Sequence, residues 1–347
     1  MIRSLIAGLF ITALVMGGWA YWRQSTALEQ VIAVDSPQVL HVQQGDTPLG
    51  VFYRLQRDGW LKDTFWLRLH GRLNAPVAVL PQGEYAITPN MTIGELLAHW
   101  RNGEVIEYRV TLVEGWNIRQ VRAALAKQEA LTQTLDDVSN EQLMDTLGFP
   151  AGHPEGQFFA DTYRYTRGMT DRELLQRAAE QLKKVLNEEW EKREAGLPYQ
   201  TPYQALTMAS IIERETGVAS ERAEIAGVFI RRLGLGMLLQ TDPTVIYGMG
   251  EAYQGRITRK DLRTPTPYNT YTQAGLPPTP IAIVGREAIY AALHPAKGRA
   301  LYFVARGDGT HEFSETLDAH NRAVRRFQLQ RRSDYRSSPV PQIKESP

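Results

Sequence analysis

The chain of 347 residues contains no cysteine. Disulfide frameworks, thiol nucleophiles and Cys-ligated zinc are thereby excluded, although this absence does not fix the redox compartment. A surplus of either charge is also missing: 39 Lys and Arg stand against 38 Asp and Glu, for a net charge of +1. That balance argues against nucleic acid as a partner, because a protein that grips phosphate backbones carries a strong basic excess. There is no Gly-rich loop leading into Lys, the arrangement that cradles a nucleotide phosphate. The seven His residues show no His-x-x-x-His spacing around a carboxylate, so His294, His311 and His320 read as structural and neither metal nor cofactor is expected. Long apolar runs are scarce, with a single one at the N-terminus.

That run, Leu5 to Trp22, has 18 residues without a charge and lies between Arg3 and Arg23. As a helix it would be about 27 Å long, close to the hydrocarbon thickness of about 30 Å. Trp19, Tyr21 and Trp22 at its exit suit a membrane–water interface. A cleavable signal peptide is the competing reading, but Gly17-Gly18-Trp19-Ala20 followed by bulky aromatics is a poor cleavage site. The expectation is an uncleaved single-pass anchor over 5–22, with residues 1–4 cytoplasmic and everything after 23 on the other side.

Hydrophobic content of 43% and charged content of 22% suit a folded chain of two or three domains. Residues 23–36 read as a linker. Gln38–Val42 predicts a strand, Thr47 caps a helix through Leu55, Asp63 caps another through Leu69, and Glu84–Thr88 predicts a second strand. Strand, helix, helix, strand is the order of a LysM-like glycan-binding module, here 37–113; a generic α+β spacer has the same pattern. Thr92 caps a helix through Trp100, and Val105–Val113 alternates as an exposed strand. Residues 114–200 read as a mostly helical connection, with Leu174 to Trp190 recurring at helical spacing up to Gly196-Leu197-Pro198. Within it, Glu155-Gly156-Gln157-Phe158-Phe159-Ala160-Asp161-Thr162-Tyr163 is dense in aromatics and polar tips, suited to sugar rings or to bracing a domain junction. A tail from 336 reads as disordered. The fold class expected is α+β.

A helix from about Tyr203 to Glu215 is apolar over most of its circumference and therefore buried. It ends in Ser210-Ile211-Ile212-Glu213-Arg214-Glu215-Thr216. Residues two apart on a helix point about 200° from each other, so Glu213 and Glu215 cannot flank one substrate bond as a glycosidase pair. Glu215 stands at the helix end, where a chain can open onto a cleft, and Glu213 lies deeper. Ser220 is expected to cap the next helix. The loops that follow present Gln240, Asp242, Tyr247, Asn269 and Tyr271 on a backbone stiffened by Pro and Gly. Such groups give directional hydrogen bonds and flat surfaces, which suits an oligosaccharide.

The runs Met208–Thr216 and Leu239–Gly248, with Tyr268-Asn269-Thr270-Tyr271, Gly275-Leu276-Pro277-Pro278 and His294-Pro295-Ala296, resemble the endolytic murein lytic transglycosylases of the MltG/YceG-like family. The resemblance covers nearly the whole chain and makes 201–335 its catalytic domain. It implies a lyase that cuts the bond between N-acetylmuramic acid and N-acetylglucosamine in peptidoglycan, leaving 1,6-anhydro ends. The second Glu of the Glu-x-Glu-Thr motif, Glu215, is then the catalytic acid, and Gln240, Asp242, Tyr247, Asn269 and Tyr271 are substrate-positioning residues. It further implies location in the inner membrane with the catalytic part outside the cytoplasm, glycan strands and peptidoglycan synthases as partners, and no cofactor. Ala160 departs from the Pro that relatives carry before the Asp of the aromatic loop. Two alternatives stay open: a noncatalytic glycan-binding scaffold, and a hydrolase pairing Glu215 with Asp242.

Overall fold

The computed structural model describes residues 2–73 and 80–329. The side chains of 2–9, 13 and 71–73 are not included, and the tail expected from 336 lies outside the described residues, as do 330–335. The fold is α+β, with strands confined to three two-stranded sheets among the described residues. The chain divides into two units: 1–109 with 129–132 and 164–169, and 110–128 with 133–163 and 170–347.

In the first unit, β1 (Gln38–Val42) and β2 (Gly83–Ile87) pair antiparallel, with Leu40 opposite Tyr85. Between them run α2 (Pro48–Arg57) and α3 (Phe65–Leu73), and α4 (Ile93–Asn102) follows. Each helix starts where the sequence supplies an acceptor. Thr47 accepts from the Gly50 N–H, the Asp63 carboxylate accepts from Phe65 N–H, and Thr92 with Glu95 closes a capping box. Leu40, Val42, Phe52, Leu55, Tyr85 and Trp100 meet in one core, where the Phe52 and Trp100 rings stack at 5.5 Å. Glu84 is buried in this unit, and its carboxylate is held by the Tyr108 hydroxyl at 2.5 Å, Arg167 at 2.6 Å and His41 at 3.1 Å.

The N-terminal run lies within α1 (Ile2–Leu28), one continuous helix. Among the described residues no helix is long and apolar enough to cross a membrane, so the expected span over 5–22 is not supported by them. Phe10, Ile11, Leu14, Val15 and Met16 are each more than 60% exposed.

β3 (Glu107–Thr111) and β4 (Thr162–Thr166) pair with each other. The second unit adds α5 (Ile118–Ala126), α6 (Asn140–Thr146), α7 (Asp171–Glu191), α8 (Pro202–Glu215), α9 (Arg222–Gly234), α10 (Asp242–Met249), α11 (Arg259–Arg263), α12 (Arg286–Leu293) and α13 (Leu317–Val324). A hairpin of β5 (Tyr302–Ala305) and β6 (His311–Ser314) precedes α13. Helix α8 is the axle of this unit: Ala205 to Ile212 are all buried, and α7, α9, α10 and α12 pack around it. Two boundaries differ from expectation. α7 stops at Glu191, before Gly196. Ser220 does not cap α9; it sits inside a 3-10 turn, Ala219–Glu221, whose carboxylate is engaged elsewhere, on the His311 ring at 2.7 Å.

Candidate active site

Helix α8 begins with Thr201 accepting from the Gln204 N–H and with Pro202 in the first turn, where a missing N–H costs nothing. It ends at Glu215 because Thr216 takes an extended conformation. The two acids near that end have different surroundings, as their helical spacing requires. Glu213 accepts from the Gly285 N–H at 3.1 Å and meets Arg222 at 3.5 Å, while Arg222 also pairs with Glu287. Burial and the nearby Glu114 raise its carboxyl, while the Gly285 and Arg222 contacts pull the other way. Its partners are all used inside the fold.

Glu215 meets the loop before α10. The Thr241 hydroxyl donates to its Oε1. Thr241 stands at the N-cap of α10, yet its side chain makes no capping bond; the hydroxyl is spent on Glu215 instead. Behind it, Thr241 N–H donates to the Thr270 hydroxyl at 3.1 Å, Thr244 and Thr270 hydroxyls meet at 2.9 Å, and Thr244 donates to Thr241 O at 2.8 Å. This buried threonine cluster fixes the donor that faces the acid. Desolvation raises the Glu215 pKa to about 7; the Thr241 hydrogen bond lowers it, the Asp242 charge raises it further, and Arg214 opposes. Part of the residue still reaches solvent. A carboxyl in this setting is half-protonated near neutral pH and can both give and take a proton.

Asp242 is exposed, and Tyr271 donates to its Oδ1 at 2.6 Å. Burial and the Asp242 and Glu215 charges raise the Tyr271 pKa, so the phenol stays a donor. Gln240 is exposed beside them in the left-handed region, φ 54°, and its N–H donates to Thr270 O. A Gln held there is uncommon, and such conformations gather at functional sites. Glu215, Gln240, Asp242 and Tyr271 are therefore brought together.

Asn269 and Tyr247 are placed differently. Asn269 is only 1% exposed; its amide donates to Asp261 O, Leu262 O and Thr264 O, and its oxygen accepts from the Tyr271 N–H. It shapes the loop that carries Tyr271 and has no face for a ligand. Tyr247 packs edge-on against Tyr268 at 4.8 Å and donates to Glu155 rather than meeting Glu215. Glu155 was not singled out from the sequence as a site residue. It is 1% exposed, accepts from the Ile118 N–H through both oxygens at 3.1 and 3.2 Å, and is pushed by burial to about 7. Thr241 also went unrecognised, because a Thr before Asp-Pro reads as an ordinary cap.

The model of the YceG-like family matches residues 40–326. An endolytic murein transglycosylase of Bacillus subtilis is 33% identical over 262 residues, covering 71% of this chain and 72% of the relative. One of Streptococcus pneumoniae is 24% identical over an alignment of 363 residues, which covers 93% of this chain and 65% of the relative, just under two thirds of its length. A crystal structure of a YceG-like protein from Listeria monocytogenes, 27% identical, matches with a TM-score of 0.52 over 83% of this chain and 99% of its own. A match that runs from the first strand to the last described helix, joined to a relative that shares a third of the aligned residues, decides the classification: the chain belongs to the YceG-like family.

Proposed function

We propose that the protein is an endolytic peptidoglycan lytic transglycosylase, a carbon–oxygen lyase acting on the β-1,4 bond between N-acetylmuramic acid and N-acetylglucosamine. The observation that carries this reading is the lone acid Glu215, poised near pH 7 and given a hydroxyl donor by Thr241; the names of the relatives support it. Protonated Glu215 gives its proton to the glycosidic oxygen as the C1–O bond breaks. The resulting carboxylate takes the proton of the muramoyl C6 hydroxyl, whose oxygen closes on C1 to form the 1,6-anhydro ring. No water is consumed, so no second carboxylate is needed to activate one. Proton transfer accounts for about 10²–10⁴ in rate, and positioning of the strained ring supplies the rest. Gln240, Asp242 and Tyr271 would contact the sugar; Asn269 and Tyr247 would hold the loops that present them.

Glu215→Gln keeps the acceptor for Thr241 and removes the proton. It is expected to abolish anhydro-muropeptide formation from uncrosslinked glycan strands, read by mass spectrometry. Full activity in that variant would refute the assignment. Products heavier by one water would instead identify a hydrolase, and uncut strands from the native protein would leave a binding scaffold.

The finer reading includes location. An uncleaved anchor over 5–22 would hold the catalytic part outside the inner membrane, near nascent strands and the synthases that make them; the uncharged run and the uncovered apolar side chains of α1 support it. The strand–helix–helix–strand order of the first unit supports a LysM-like glycan contact, expected to appear as sedimentation of the Glu215→Gln protein with purified sacculi.

A further inference from the structure

At the opposite end of α8 from Glu215 lies a cavity of about 490 Å³. It is lined by Tyr203, Gln204 and Thr207 of α8 and, across from them, by the Gly275–Pro278 segment; Glu215 is not part of it. None of its lining side chains is charged. The Tyr203 ring, 36% exposed, forms a wall, and burial with the nearby Tyr268 and Glu155 keeps its phenol protonated and able to donate. The Gln204 oxygen is fixed by accepting from Gln200 N–H at 2.6 Å, which leaves its two N–H donors without a protein partner there. Thr207 donates to Tyr203 O at 2.9 Å. Flat aromatic and prolyl faces beside free neutral donors match a ring with apolar C–H faces and hydroxyl edges, and they offer nothing to an ion.

Two features join this cavity to the candidate active site. Gln204 precedes Glu215 by eleven residues on one regular helix, which places both within about 20° of the same side and about 16 Å apart along the axis. One loop also walls both places: Tyr271 reaches Asp242 beside Glu215, and Gly275–Pro278 closes the cavity. Between them Tyr268 packs on Tyr247 and meets the Thr279 hydroxyl at 2.9 Å.

We infer that the cavity is a distal subsite for the glycan strand, holding an uncharged N-acetylhexosamine ring several sugar units from the bond at Glu215. This rests on the function proposed above and adds a length requirement to it. A strand must reach from the cleavage point to the cavity to gain the contact, so long strands are favoured over short fragments.

The test uses the full chain carrying Glu215→Gln, which binds without cutting, and uncrosslinked glycan strands sorted by length. Adding Tyr203→Ala or Gln204→Glu, which keeps the acceptor and removes the donors, is expected to raise Kd for long strands about tenfold and to change Kd for a disaccharide, too short to span from Glu215 to the cavity, less than about twofold. Two separate variants guard against a folding defect in one, checked by an unchanged melting temperature. Equal effects on long and short ligands, or none on either, would overturn the subsite. Failure of the underlying function shows separately, as native protein that leaves long strands uncut, while the binding comparison still decides whether the cavity holds sugar.

Discussion

At the scale of single residues, the proposed chemistry turns on what surrounds one carboxyl. The 200° separation gave Glu215 and Glu213 different environments, but it was the resemblance to the family, and not position alone, that singled out Glu215 as the acid. Its donor could not be picked out, because Thr241 has the sequence signature of a cap and only the fold shows the hydroxyl turned to the acid. Asn269 was legible as a polar loop residue but not as a buried one, since burial depends on how the loop folds back on itself. Thr241→Val removes a hydrogen bond that favours the charged form of Glu215. The alkaline limb of kcat/KM is therefore expected to move from about pH 7 to about pH 8, with the plateau falling up to about tenfold; a pH–rate profile checks it. Stability should bear the opposite mark. The folded-state pKa of Glu215 lies above its unfolded value, so its contribution to stability is full below pH 4.5 and is lost as pH rises through about 7. Glu215→Gln escapes that loss and should be more stable than the native protein by about 1–3 kcal/mol at pH 8. The gap should close towards pH 4, as measured by denaturant unfolding at the two pH values.

Elements were readable from sequence where a local device starts them. Thr47 and Thr92 cap helices through their own side chains, so periodicity and cap agreed. Ser220 misled because a 3-10 turn intervenes, and the real start of α9 is set by tertiary contacts of Glu221 that no local pattern encodes. The same holds for close approaches between elements. Gly227 lies mid-way along α9, and a Cβ there would stand 2.5 Å from the backbone oxygen of Ala296, which cannot swing aside as a side chain would. Gly227→Ala should gain the helix propensity of Ala, about 1 kcal/mol, and lose more to the displaced chain, for a net destabilisation of about 1–3 kcal/mol. Unfolding in urea measures it, and a stabilised variant would show that the 296 segment yields freely.

At the scale of the whole molecule, every group placed around Glu215 comes from the second unit, although the segments involved, near 215, 241 and 271, are apart in sequence. The α+β class was legible from alternating strand and helix patterns; the meeting of those segments was not, because long-range packing leaves no periodic trace. This separation carries a prediction about the anchor. The groups placed around Glu215 all lie outside 1–22, and within the first unit Trp19 is set edge-on to Trp66 at 5.5 Å. A chain starting at Arg23 should therefore keep its rate on soluble uncrosslinked strands within about twofold, since the catalytic groups are untouched. If 5–22 anchors the chain as proposed, the shortened chain's rate on nascent glycan attached to membranes should fall by about tenfold or more, because an anchor supplies local concentration rather than chemistry. Co-sedimentation with vesicles and product counting on both substrates measure the two effects together. Equal rates on both substrates would mean that 5–22 does not hold the enzyme at the bilayer, and a loss on both would mean that α1 supports the fold of the chain itself.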